Sequence, residues 1–70
     1  MTEYLVIIEK GDSSYGAYVP DLPGCVAVGG TPEEAKKLIQ ESIVMHLEAM
    51  KEDGEAIPKP VSSHVQIAVA

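Results

Sequence analysis

Apolar and polar side chains follow two different spacings along this chain, and the spacing marks each element. Residues 3–10, Glu-Tyr-Leu-Val-Ile-Ile-Glu-Lys, are rich in β-branched residues and too short for a typical helix, which predicts a strand. Strict alternation sends Tyr4, Val6 and Ile8 to one side and Leu5 and Ile7 to the other. Both sides are then apolar, the pattern of a central strand covered on both faces. Turn chemistry at 10–13 (Lys-Gly-Asp-Ser) leads into a second strand over 14–20, forming a hairpin with the first. In that strand Tyr15 and Tyr18 fall on opposite faces, and Gly16 suggests a bulge or a close backbone approach. A third strand follows over 25–29, so the order to this point is an antiparallel meander.

From Thr31 the period lengthens to that of a helix. Thr31 is the expected N-cap, Pro32 occupies the first helical position, and Glu34 closes a Thr-x-x-Glu capping box. Glu33 and Glu34 also lie where the helix dipole favours negative charge, and Gly54 ends the helix as a left-handed cap. Ala35, Ile39, Ile43, His46, Leu47 and Met50 form one stripe, with Glu33, Lys37, Gln40, Glu41, Glu48 and Lys51 opposite. A proline-stiffened connector over 55–63 precedes a last predicted strand over 64–70.

These elements assemble as α+β, in the order β-β-β-α-β: a four-stranded mixed sheet with one helix on one face. A right-handed crossover allows the last strand to lie beside the first and parallel to it. One helix covers one face only, and a bare apolar sheet face exceeds what monomers usually tolerate. A 70-residue chain also buries only about 60% of its unfolded surface, so its core alone is marginal. A homodimer or homotetramer is expected, with Leu5 and Ile7 at the interface.

Composition narrows the chemistry. One cysteine, Cys25, excludes an intrachain disulfide, suits a reducing compartment, and reads as a small buried side chain. No basic, apolar leader and no run of about 20 apolar residues is present, so a cytoplasmic protein without membrane attachment is expected. Eleven carboxylates against five lysines, with no arginine, give a formal charge of −6. Direct nucleic-acid binding, which relies on arginine and lysine, is therefore not expected. The acidity is either a solvated surface or complementarity to a basic protein. His46, within the helix stripe, reads as a core histidine, with no second ligand in register for a metal. His64 opens the last predicted strand and reads as exposed. Gly29–Gly30 before a helix lacks the phosphate-loop pattern.

The stretch Tyr18, Val19, Pro20, Asp21, Leu22, Pro23, Gly24, Cys25, followed by Gly30, Thr31, Glu33, Glu34, Ala35 and by His46, Leu47, Glu48, closely resembles HicB-type antitoxins. The Gly-x-x-Ile-Pro-x-Pro run at 54–60 resembles the segment that follows the helix in that family. The resemblance implies a truncated ribonuclease-H-like fold. It also implies an antitoxin that neutralises a small, basic, mRNA-cleaving toxin of the HicA kind. Many members carry a further DNA-binding domain. Here one domain over 1–70 is expected, with none after it.

Catalysis is not expected: two-metal cleavage needs clustered carboxylates, and the first strand offers only Glu3 and Glu9 near its ends. No cofactor or metal is expected either. The Pro-Asp-Leu-Pro-Gly bend serves the sheet alone or presents a rigid tip to a partner. On the second reading Asp21, Leu22 and Pro23, with Glu33 and Glu34, are the partner-binding residues. The rival function is a stand-alone oligomeric module that binds a small ligand or another protein and has no toxin.

Overall fold

The computed structural model describes residues 3–69. Three strands, β1 (Ile7–Lys10), β2 (Tyr15–Tyr18) and β3 (Val26–Gly29), precede one long helix, α1 (Pro32–Glu52). The strands form an antiparallel meander in the order β1-β2-β3. Ile7 stands opposite Tyr18 and Tyr18 opposite Val26; Ile8, Ala17 and Ala27 form the next row.

The rows explain the core. Ala17 and Ala27 turn small side chains toward α1, and Tyr4, Val6 and Tyr15 close around them. Ala35 and Ile39 descend from the helix to meet them, with Ile43 and Leu47 packed at the margin. This is the predicted stripe, buried most deeply near the N-terminal end of the helix. Thr31 caps α1 by accepting the Glu34 N–H at 3.1 Å, while Glu34 Oε1 accepts the Gly30 N–H at 2.8 Å. The capping box is thus complete. At the far end Asp53 is the C-cap and Gly54 takes a positive φ of 74°.

Three expectations need correction. The first strand is an edge strand and not the central one covered on both faces, because β2 stands in the middle of the sheet. Gly16 makes no bulge: it pairs in regular register with Glu9 and Val28, and nothing lies within 4 Å of where its Cβ would stand. The four-stranded mixed sheet is a three-stranded antiparallel one, because residues 55–69 form no strand; Ala70 lies outside the described residues. The physical reason is a pair of tethers. The Tyr4 hydroxyl donates to the Pro58 carbonyl at 2.5 Å. Asp21 Oδ2 then accepts the N–H groups of Val61 and Ser62, at 3.2 and 3.1 Å, and Oδ1 accepts the Ser62 hydroxyl at 2.9 Å. The connector is thereby led past the start of β1 to the β2–β3 connection, and the residues after it find no strand to pair with.

Among the described residues no helix is long and apolar enough to cross a membrane.

Candidate partner-binding site

The bend between β2 and β3 is two turns placed end to end. Leu22 N–H donates to the Val19 carbonyl and Cys25 N–H to the Leu22 carbonyl, both at 3.0 Å, while Val19 N–H reaches the Cys25 carbonyl at 3.3 Å. Pro20 and Pro23 each hold the second position of a turn, where their fixed φ is pre-set. Gly24 supplies the positive φ, 86°, that the third position of a type II turn demands. Two prolines and a glycine therefore have a local structural cause.

The side chains of this bend diverge. Leu22 is 0% exposed and packs in the core with Val19 and Cys25, so as a surface contact it is corrected: it anchors the loop from inside. Pro23 is exposed at the tip. Asp21 spends both oxygens on the connector. Glu33 is exposed on the first turn of α1, and Glu34, also exposed, is engaged in the capping box. The five expected partner residues thus divide into one core anchor, one latch, one cap and two free surface positions. The latch joins residues about 40 positions apart, and no local pattern announces it.

Asp21 titrates below the ordinary aspartate range because the Ser62 backbone N–H donates to its ionised form; partial burial opposes the shift, and the Ser62 hydroxyl and Val61 N–H reinforce it. A carboxylate with a depressed folded pKa contributes its stabilisation above the unfolded value, about 3.9, and loses it as pH falls through the lowered folded value. Replacing Asp21 by Ala is expected to return the Val61 and Ser62 amides to the hydrogen-exchange rate of free peptide, while amides of α1 keep their protection. In the unaltered chain the same release should appear only below about pH 4. Persistent protection of Val61 and Ser62 in Asp21→Ala would refute the latch. Cys25 is buried, and burial pushes its thiol up, so it is poorly nucleophilic.

Two apolar surfaces remain. On the sheet face away from α1, Val26 and Val28 are 63% and 65% exposed, beside Tyr18 and the half-buried Ile7. On the other side α1 leans over β3 and β2 and leaves β1 thinly covered. There a groove of about 550 Å³ opens, with Tyr4, Val6, Ile8, Ile39 and Ile43 among its walls. Among the described residues no three His, Cys, Asp or Glu side chains converge to hold a metal ion.

Compared with known families, residues 4–69 match the HicB-like antitoxin of bacterial toxin–antitoxin systems. The chain belongs to that family. The N-terminal domain of the Burkholderia pseudomallei antitoxin HicB superposes with a TM-score of 0.74 at 39% identity, over 83% of this chain and 69% of that one. A chain of a HicA3–HicB3 toxin–antitoxin complex gives a TM-score of 0.72 at 30% identity, over 86% of this chain and 70% of that one. Among curated proteins, an uncharacterised 14.9 kDa protein of Haemophilus phage HP1 is 41% identical over 64 residues, 89% of this chain. A UPF0150 protein of Helicobacter pylori is 43% identical over 47 residues, 67% of this chain. The HicB-like chain spans 48% of the phage protein's length and 65% of the Helicobacter protein's.

Proposed function

We propose that this chain acts as a non-catalytic antitoxin domain that binds and neutralises a small, basic, mRNA-cleaving toxin of the HicA kind in the cytoplasm. The observation that carries the reading is the family match across residues 4–69. The likeness to a chain of a HicA3–HicB3 complex supports it, as does a net charge of −6 that would complement a basic partner. Pro23 and Glu33, both exposed, are the expected residues left free to meet such a partner. The open sheet face with Val26 and Val28 supplies apolar contact area. The chain inhibits by occupying the toxin's surface and transfers no group.

The test is co-expression with a HicA-type toxin encoded beside this gene. Growth is expected to be rescued and the two chains to co-purify. The complex should weaken as salt approaches about 1 M, where the screening length falls to about 3 Å. Absence of both rescue and co-purification, with the antitoxin chain shown to be folded, would overturn the proposal.

A further inference from the structure

Two glycines stand in the sheet, and only one of them has a use within the chain. At Gly29 an added Cβ would stand 2.6 Å from the Ala35 nitrogen, so the helix needs that space. Gly16 lies within β2, the central strand, where glycine weakens the pairing by its backbone freedom and leaves nothing to pack. None of the usual reasons for tolerating it applies. Its register with Glu9 and Val28 is regular, and its φ is not positive. Apart from its chain neighbours, no heavy atom comes within 4 Å of a Cβ placed there. The space is open to the outside.

Alternation sets that space on the face away from α1, since the next residue, Ala17, is buried against the helix. Three side chains border it. Glu9 stands directly across on β1 and Val28 directly across on β3, both exposed. Tyr18 is the next residue of β2 on the same face and is 38% exposed. Neighbours across a sheet lie about 5 Å apart and those along a strand about 7 Å, so the three enclose a shallow dent. Its walls are a carboxylate, an aromatic ring and a branched aliphatic side chain. The two rows of this face, Ile7–Tyr18–Val26 and Glu9–Gly16–Val28, hold one carboxylate and no cation. What suits all three walls is a long apolar stem ending in a flat cation. Arginine has both, and its weakly hydrated guanidinium stacks on aromatic rings while pairing with carboxylates; the lysine ammonium stays strongly hydrated.

We propose, resting on the antitoxin function inferred above, that Gly16 is the floor of a subsite for one arginine side chain of the basic toxin. The arginine stem lies over Gly16 against Val28, and the guanidinium meets Glu9 and Tyr18. A side chain at position 16 would fill the subsite, which is why the central strand carries a glycine there.

The experiment measures the affinity of the full chain for the HicA-type toxin encoded beside its gene, by calorimetry at low salt. Gly16→Val places a strand-favouring side chain in open space, so helical circular dichroism and melting temperature should not fall. Binding should nonetheless weaken by about tenfold or more, as when a well-packed interface pocket is lost. Glu9→Gln should weaken it about twofold to fivefold, the worth of an exposed ion pair. In the Gly16→Val background Glu9→Gln should add nothing, because both act on one partner side chain. Replacing the toxin's arginines by alanine one at a time should find one whose loss cancels the effect of Glu9→Gln. A wild-type chain that does not bind the toxin would overturn the antitoxin function and the subsite together. Toxin binding by the wild type that Gly16→Val leaves unchanged, additive effects of the two substitutions, or no such arginine would overturn the subsite alone. So would a Gly16→Val chain whose assembled mass changes in light scattering while its toxin affinity does not, since the face would then belong to contact between copies.

Discussion

Replacing Gly29 by alanine is expected to cost about 3 kcal/mol, at the upper end of overpacking penalties. Gly29 closes β3, is buried, and lies where the helix begins. A Cβ added there would stand 2.6 Å from the Ala35 nitrogen and 3.0 Å from both the Ala35 Cα and the Glu34 carbonyl carbon. All three are backbone atoms, so no rotamer change relieves the contact. The helix could retreat only by moving its first turn, and that turn is fixed by Thr31, Glu34 and the Gly30 amide. The close approach of β3 to α1 through Gly29 and Ala35 is what lets Ile39 reach the core. A domain of this size is worth roughly 4–10 kcal/mol in total. At about 4–8 °C per kcal/mol, the melting temperature should fall by roughly 12–24 °C, read by far-ultraviolet circular dichroism. Gly16→Ala is the control: the position is open, and removing a glycine from a strand should be neutral or gain about 0.5–1 kcal/mol. A melting temperature for Gly29→Ala within about 2 °C of wild type would show that the helix is not seated as described.

What could be read from the sequence was local. The start of α1 depends on residues at most four positions apart, and Thr31, Pro32 and Glu34 stand where the capping rules place them. The stripe from Ala35 to Leu47 likewise encodes which side of α1 faces the core, whereas the first strand, apolar on both sides, reads as central and stands at the sheet edge. Leu22 was misleading because a leucine between two prolines in a turn-forming segment looks like an exposed tip. Its burial follows only from the two consecutive turns that fold it inward. Gly16 misled in another way, since a glycine in a strand marks equally a bulge, a close approach or plain open space. The path of residues 55–69 was out of reach for a stronger reason. Period-two spacing of Val65, Ile67 and Val69 says that one side of the segment needs cover. It carries no information about which edge supplies that cover. That depends on Asp21 and Tyr4, dozens of residues earlier, whose own neighbours give no hint of the tether. Of the candidate site, the charge and the family-like bend were legible; the division of its side chains between core, latch, cap and surface was not.

Leu22→Ala separates the two meanings of the bend. Leu22 has no exposed surface and sits at the junction of the two turns, touching a core that includes Val19, Cys25, Ala35 and Ile39. Truncating a fully buried leucine costs about 2–5 kcal/mol, more where the cavity cannot collapse. Collapse is limited here, since Pro20 and Pro23 fix the φ angles of the backbone that would have to move inward. The loss should approach about 4 kcal/mol, a large share of the whole stability, read as a lower urea midpoint with unchanged m-value. Because Asp21 rides on this loop, the Val61 and Ser62 amides should lose hydrogen-exchange protection with it. Toxin affinity, measured at a temperature where the variant is still folded, should change little. If Leu22 instead served as a partner contact, the pattern would reverse: stability within about 0.5 kcal/mol of wild type and a marked loss of affinity. That result would return the bend to the role of a docking tip and remove the core from beneath the latch.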